Sequence, residues 1–316
     1  MTVASIIIPA YNVSRFIRAA VESALDQTFT DTEILVVDDG STDDTPAVLQ
    51  ELQRQRQDPR LKIIKKSNGG LSSARNAAIR QAEGRYFGFL DGDDIWCPAR
   101  LERHLAVFES DPSIGIVSCN AKYISEDDRP LEGRSSWVAK CREPTLRDLI
   151  RSNQILPPVV RRACFEEAGL FDESLRSCED YDMWCRILYA TSYRAVIIPE
   201  YLLLYRMRHD SLCHLTDHFL DAAEEVMGLM RARMPDIEES VFRGGHAEHY
   251  LLSAWKAATA RRRIAALRYF LTALRLHPGL VIDAPRRAAA TMAAIVMPRG
   301  MRLRLQQMLE LRRSHA

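Results

Sequence analysis

The first 120 residues alternate short apolar runs with segments whose apolar residues fall on one helical face. The five apolar runs are continuous, and they read "SIIIP", "EILVV", "LKIIK", "YFGFL" and "GIVSC". Continuous apolar runs are typical of strands that are buried on both faces, as in parallel sheets. Strands that alternate with helices in this way predict an α/β domain with a mostly parallel sheet and helices on both of its faces.

The rest of the chain has a mixed pattern up to residue 215 and a helical pattern beyond it. Within the mixed stretch one helix and two strands are predicted, at "EDYDMWCRILYA", "YRAVIIP" and "YLLLYR". We therefore expect a first domain over residues 1–215, made of the halves 1–120 and 121–215. Residues 216–316 are expected to form a basic helical extension.

The C-terminal segment is basic, although the net charge of the whole chain is only +1. Residues 254–316 hold thirteen Lys and Arg against two Asp and Glu, whereas the rest of the chain holds 30 against 40. Such asymmetry indicates an anionic surface as partner, and we expect peripheral contact with a membrane and no nucleic acid. The alternative is a helical appendage that packs on the first domain and leaves its arginines solvated.

The seven cysteines are scattered and include no C-x-x-C pair, so we expect reduced thiols in a cytoplasmic protein. The chain starts almost directly with a strand and shows no basic leader, so a signal peptide is not expected. No apolar stretch reaches 18 residues, and a transmembrane helix is therefore not expected. A peripheral location at the inner face of the plasma membrane remains open because of the basic segment.

Aspartates follow two of the predicted strands directly. Asp38 and Asp39 come after "EILVV", and Asp91 and Asp93 come after "YFGFL". In open α/β sheets ligands bind beyond the carboxyl ends of the strands. A D-x-D pattern there suits a hard divalent cation, Mg²⁺ or Mn²⁺, which takes one or two carboxylates and completes its shell with water and phosphate. A solvated acidic turn is the alternative, and Asp94 could build the turn or support the site.

The segment "NGGLSSARN" offers backbone amides at a helix N-terminus and an arginine, Arg75, one turn further on. Such a segment could bind an anion. The alternative is a capped helix with a surface arginine.

For Asp38 and Asp39 the two options are binding a nucleobase or ribose and building a turn that caps the next helix.

Six segments together resemble family 2 glycosyltransferases, in the family's order and over residues 5 to about 211. They are "PAYN", "EILVVDDGSTDDT", "NGGLSSARN", "YFGFLDGDDIWCPARLE", "GLFDESL" and "CEDYDMWCR". The resemblance implies a GT-A fold, which is Rossmann-like, and inverting transfer from a nucleotide-diphosphate sugar to an acceptor hydroxyl. It further implies a metal-dependent hexosyl- or N-acetylhexosaminyl-transferase, with a UDP-sugar as donor and a glycan or lipid-linked acceptor in surface polysaccharide synthesis. Residues 1–120 would bind the donor, and 121–215 would face the acceptor.

The resemblance also implies roles for the residues that match its motifs. The nucleoside would lie among four residues, namely Pro9, Tyr11, Asp38 and Asp39. On the same basis Asp91 would lie near the ribose, Asp93 would bind the metal, and Arg75 would lie close to the donor, at its phosphates.

The pair Glu179 and Asp180 matches the acidic pair of the family, in which Asp180 corresponds to the catalytic base. A base there would take a proton from the attacking hydroxyl. Without the resemblance, both acids could simply serve the helix dipole. The family often carries a histidine near the metal after the last strand. Here Arg208 takes that register and could hold the diphosphate, while His209 could bind the metal if the loop shifts by one residue.

Two other classes compete with the glycosyltransferase. A sugar-phosphate nucleotidyltransferase would carry a glycine-rich basic loop after the first strand, and this chain has "PAYNVSRF" there instead. A non-catalytic module that binds nucleotide sugars would bind a donor without turnover.

Overall fold

The computed structural model describes residues 2–131, 138–139, 141–208 and 216–297. The described strands are β1 (Ala4–Ala10), β2 (Thr32–Asp38), β3 (Leu61–Lys65), β4 (Tyr86–Phe89), β5 (Ile95–Trp96), β6 (Ile114–Ile124), β7 (Val159–Arg161) and β8 (Arg194–Arg206). The described helices are α1 (Ile17–Leu25), α2 (Thr45–Arg56), α3 (Leu71–Ile79), α4 (Arg100–Ser110), α5 (Leu146–Arg151), α6 (Arg162–Ala168), α7 (Glu179–Ala190), α8 (Thr216–Arg233), α9 (Glu239–Thr259), α10 (Arg263–Leu276), α11 (Leu280–Asp283) and α12 (Pro285–Val296).

The strands form one sheet in the order β3-β2-β1-β4-β7-β6-β8-β5. The first four strands of this order are parallel, as are β6 and β8. Strand β7 lies antiparallel between β4 and β6, and β5 pairs antiparallel with β8 at the edge. The predicted α/β architecture with a mostly parallel sheet is confirmed.

The two strands predicted at residues 193–199 and 201–206 are one strand, β8 (Arg194–Arg206). It runs beside β6 but skips two residues, since Ile198 pairs with Cys119 whereas Tyr201 pairs with Asn120. Pro199 lies in the skipped stretch and has no N–H to donate to a ladder. The side-chain amide of Asn120 donates to the Pro199 carbonyl at 2.9 Å. A bulge therefore lets one strand continue where the sequence pattern suggested a break.

Burial in the sheet explains the continuous apolar runs. Every residue of β1 and of β2 is buried, because these two strands lie inside the parallel part of the sheet. The carboxyl ends of β1, β2 and β4 lie at the same edge, since the three strands are parallel. The loops that carry the candidate site residues therefore start from a common edge of the sheet.

The described residues divide into two compact units. The first comprises the described residues up to 149 together with 153–208, and the second comprises 150–152 with 216–297. In the second unit α9 packs against α8, α10 and α12 through small and apolar side chains, among them Leu251, Ala254 and Phe270. Within the part of the chain that the structure describes, no helix has the length and hydropathy that crossing a membrane requires.

Candidate active site

The loops that follow β1 and β2 are tied together by Asn12. Its backbone has φ of +51°, in the left-handed region that asparagine tolerates better than most residues. The side-chain oxygen of Asn12 accepts hydrogen bonds from the backbone N–H of Thr42 at 2.8 Å and of Asp43 at 3.3 Å. Pro9 is buried in β1, whereas Tyr11 is 48% exposed beside this junction. Sequence reasoning missed the part played by Asn12, although it closes the "PAYN" segment.

Asp39 connects the loop that contains Gly69 and Gly70 to the end of β2. Its carboxylate accepts from the backbone N–H groups of Gly69, at 3.0 Å, and Gly70, at 2.8 Å. The ammonium of Lys66 lies 2.5 Å from the same carboxylate. The buried carboxylate is thus held by three donors, and it fixes the loop that leads into α3.

Asp38 builds the turn after β2, because its side chain accepts from the backbone N–H of Ser41 at 3.0 Å. The N-cap residue of α2 is Asp44, whose side chain makes no capping hydrogen bond, whereas the Asp43 side chain accepts from the backbone N–H of Thr45 at 2.9 Å. Burial opposes ionisation of Asp43, but hydrogen bonds from Thr45 and Ser14 lower its pKa to about 2.

Arg75 is buried between two acidic residues from distant parts of the chain. One nitrogen donates to Glu179 at 2.7 Å, and another donates to Asp91 at 2.9 Å. The guanidinium also lies 5.3 Å from the ring centroid of Phe171. Its side chain is only 4% exposed, so the alternative of a surface arginine is wrong. Arg75 therefore connects α3, the end of β4 and the start of α7.

We expect Arg75→Met to lower the free energy of unfolding by about 3–5 kcal/mol, because it leaves the Glu179 and Asp91 carboxylates without their counter-charge. Arg80→Met, at the residue that directly follows α3, is the matched control. Arg80 is 58% exposed and pairs with Glu173 at 3.4 Å, and its loss should cost about 0–1 kcal/mol. Urea denaturation of both variants measures the difference. Equal destabilisation by the two substitutions would contradict the bridging role of Arg75.

Asp94 stabilises the turn that carries Asp91 and Asp93. The backbone N–H of Asp94 donates to the Asp91 carbonyl at 3.0 Å, and its buried side chain accepts from the backbone N–H of Arg206 at 2.8 Å. Burial and the charge of Asp93 raise the pKa of Asp94 well above its ordinary value. Asp94 therefore joins the turn to the end of β8 and does not point toward solvent.

Asp93 forms an ion pair with Arg208. A guanidinium nitrogen of Arg208 lies 3.1 Å from the Asp93 carboxylate, and the guanidinium also stands 5.2 Å from the ring centroid of Phe16. Burial and the charge of Asp91 raise the pKa of Asp93, and the Arg208 guanidinium opposes this rise. His209, the other candidate here, lies outside the described residues.

The residues at this turn fit a divalent cation. Asp91 and Asp93 keep 30% and 26% of their side chains exposed, and both offer the carboxylate oxygens that Mg²⁺ and Mn²⁺ prefer. Across the described ranges, no group of three or more His, Cys, Asp or Glu residues is arranged as a complete protein-only metal site. A shell with one or two carboxylates, completed by water and phosphate, is the arrangement typical of Mg²⁺.

Asp180 lies in the first turn of α7, next to the Glu179 that Arg75 holds. It is half-buried, and the side-chain amide of Asn153 donates to it at 3.4 Å. Burial and the charge of Glu179 raise the pKa of Asp180 to about 7, against the opposing effect of Arg75. A carboxylate tuned to this range is suited to exchange protons near neutral pH. Asn153 belongs to none of the motifs, so its contact with Asp180 was not predictable from them.

Two groups of contacts emerge from the predicted site residues. Arg75 joins Asp91 to Glu179, and Asp180 is adjacent to Glu179 in α7. Asp38 and Asp39 belong to a second group, which shapes the loops after β2 and β3. The edge of a mostly parallel sheet thus carries an acidic turn, a buried arginine bridge and a tuned carboxylate.

Comparison with known protein families shows which family the chain belongs to. The family model described as glycosyl transferase family 2 matches residues 5–175, which is more than half of the chain. The chain therefore belongs to glycosyl transferase family 2, as the resemblance of its motifs predicted. This assignment places it outside the nucleotidyltransferase class.

Several curated relatives share this domain. The chondroitin synthase of Escherichia coli is 38% identical over 183 residues, which cover 58% of this chain and 26% of the synthase. The hyaluronan synthase of Pasteurella multocida is 35% identical over 183 residues, covering 58% of this chain and 18% of the synthase. The uncharacterized glycosyltransferase EpsJ of Bacillus subtilis is 34% identical over 221 residues, covering 67% and 63% of the two chains. The chain thus spans only about a quarter or less of the two synthases.

Solved structures show the same GT-A fold at lower identity. TarS of S. aureus, residues 1–349 in complex with UDP-GlcNAc, has a TM-score of 0.67 and 22% identity, covering 92% of this chain and 87% of that one. The mannosyltransferase PcManGT of Pyrobaculum calidifontis, in complex with GDP-Man and Mn²⁺, has a TM-score of 0.60 and 20% identity, covering 93% and 86%.

Proposed function

We propose that this protein is an inverting glycosyltransferase that moves a sugar from a nucleotide-diphosphate donor to an acceptor hydroxyl. The observation that carries the proposal is the linkage of two acidic sites through one buried arginine. Arg75 contacts Asp91 in the acidic turn and Glu179 beside Asp180. The same side chain thereby holds the proposed donor-binding turn and the residue next to the proposed base.

Asp180 is the base in this mechanism. Its carboxylate takes the proton of the acceptor hydroxyl as the hydroxyl oxygen forms a bond to the anomeric carbon of the donor. The bond from that carbon to the diphosphate oxygen breaks, and its electron pair leaves with the nucleoside diphosphate. Attack from the face opposite the leaving group inverts the anomeric carbon.

Asp93 would hold a Mn²⁺ or Mg²⁺ ion, and Asp91 would lie beside the ribose of the donor. When bound, the ion supplies positive charge to the departing diphosphate. Arg208 already contacts Asp93, and its planar guanidinium can donate two hydrogen bonds to a phosphate group. Pro9, Tyr11, Asp38 and Asp39 would form the nucleoside side of the site.

We assign a UDP-sugar as the donor and a glycan, free or lipid-linked, as the acceptor. The names of the chondroitin and hyaluronan synthases and the UDP-GlcNAc complex of TarS support a hexosyl or N-acetylhexosaminyl transfer in polysaccharide synthesis. The Mn²⁺ complex of the mannosyltransferase supports the metal. A cytoplasmic site of action, with contact between the basic C-terminal segment and a membrane, completes the proposal.

A panel of UDP-, GDP- and dTDP-sugars tests the proposal. We expect one donor to bind in the presence of Mn²⁺, to lose affinity when EDTA is added, and to be hydrolysed slowly or transferred. Binding should be measured by calorimetry and turnover by release of nucleoside diphosphate. Donor binding without turnover toward water or any acceptor of a glycan panel would instead favour the non-catalytic module.

The pKa of Asp180 predicts how transfer depends on pH. Only the deprotonated carboxylate can accept a proton, so activity is lost as pH falls below about 7. Between pH 6 and pH 8 the deprotonated fraction rises from about one tenth to about nine tenths, and we expect kcat to rise about tenfold. Transfer assays at saturating donor measure this profile. A rate that is flat across the range would show that Asp180 does not limit transfer as a base.

A further inference from the structure

Helix α10 in the second unit presents apolar side chains to solvent. Ile264 is 89% exposed, Leu267 is 42% exposed and Leu271 is 54% exposed. Their spacing of three and four residues places all three on one side of the helix, and we name these residues the α10 face. Exposure of three large aliphatic side chains in one stripe is costly in water unless something covers it.

The α10 face is separate from the side of the helix that belongs to the core. Ala266, Phe270 and Ala273 are buried in the cluster that α9, α10 and α12 share. Helix α10 therefore has one apolar side that holds it in the protein and a second apolar side that faces outward. Substitutions on the outward side leave this packing intact.

Arginines border the α10 face. Arg263 lies one turn before Leu267, Arg268 lies one turn from both Ile264 and Leu271, and Arg275 lies one turn beyond Leu271. All three arginines are exposed, and the helix sequence RIAALRYFLTALRL contains no acidic residue. The face thus combines an apolar stripe with positive charge on the same side of one helix.

We infer that the α10 face docks on the surface of an anionic lipid bilayer. A helix of this kind lies in the plane of the interface, with aliphatic side chains among the acyl chains and arginines at the lipid phosphates. The long arginine side chains can reach the phosphates while their methylene groups rest on the apolar stripe. A second copy of this chain fits the face less well, because a two-fold contact would place the arginines of both copies against each other.

Vesicle co-sedimentation of the full chain tests the inference. The probes are vesicles of phosphatidylcholine alone and of phosphatidylcholine with an equal part of phosphatidylglycerol. We expect binding to the mixed vesicles only. A triple variant with Ile264→Ser, Leu267→Ser and Leu271→Ser, and a second with Arg263→Gln, Arg268→Gln and Arg275→Gln, should each weaken binding at least about tenfold.

The matched control removes the same charge from exposed arginines of the first unit, through the substitutions Arg54→Gln, Arg80→Gln and Arg103→Gln. Its vesicle binding should stay within about twofold of the unaltered protein, because these residues lie outside the α10 face. Absence of binding to mixed vesicles, or equal loss in the control and the α10 variants, would overturn the inference. So would α10 variants that keep vesicle binding but lose a self-association or a protein contact.

The expected vesicle binding does not depend on the proposed transferase activity. Transfer to a water-soluble acceptor should be unchanged in both α10 variants, because none of their substituted residues belongs to the site described above. A protein that binds anionic vesicles through the α10 face but transfers no sugar would retain this inference and refute the proposed function.

Discussion

Asp180→Asn is expected to lower the rate of sugar transfer by about 10²–10⁴-fold while donor affinity changes little. Asparagine keeps the size of the side chain and one acceptor oxygen, but it cannot take a proton from the acceptor. The neighbouring bridge between Arg75 and Glu179 does not involve the substituted group and should stay intact. The substitution therefore separates proton transfer from donor binding.

The measurement compares kcat with donor affinity by calorimetry in the same preparation. Asp31→Asn is the matched control, because it makes the same chemical change at an exposed position outside the site. The residual kcat of Asp180→Asn should also no longer rise between pH 6 and pH 8. Normal transfer by this variant would show that another group is the base.

Asp93→Asn is expected to weaken Mn²⁺-dependent donor binding by about 10²-fold or more. Removing a charged ligand removes several kcal/mol of interaction with the cation, and 1.4 kcal/mol corresponds to a factor of ten. The turn itself should persist, because it rests on the Asp94 side chain and on the bond from the Arg206 side chain to the Asp93 carbonyl at 2.6 Å. Donor binding in EDTA should be the same for the variant and the unaltered protein.

Arg208→Gln is expected to change Mn²⁺ affinity in the direction opposite to that of Asp93→Asn. Arg208 is the cation next to Asp93, so its removal should strengthen Mn²⁺ binding in the absence of donor. The same variant should bind the nucleotide diphosphate more weakly, because the positive charge and the paired donors of the guanidinium are lost. Titration of Mn²⁺ with and without UDP measures both effects. Unchanged Mn²⁺ affinity in Asp93→Asn would remove Asp93 from the metal site.

The sequence was informative where the physical signal is local. A strand buried on both faces needs a continuous apolar run, so β1, β2 and β4 are readable as such, and each aspartate at a strand end is visible beside its strand. The bulge in β8 was not readable, because a proline next to a charged residue looks the same at the end of a strand and inside a bulge. The order of the strands, with β7 between β4 and β6, depends on long-range pairing.

The sequence by itself determined the glycosyltransferase family, the α/β fold and the identity of the candidate acids, because motifs and strand patterns are properties of short segments. Only the tertiary structure decided what those residues do to one another. It placed Arg75 between Asp91 and Glu179, which are 16 and 104 positions away from it in the chain. It also set the pKa of Asp180 and gave α10 two apolar sides, because burial and electrostatic coupling depend on distance in space.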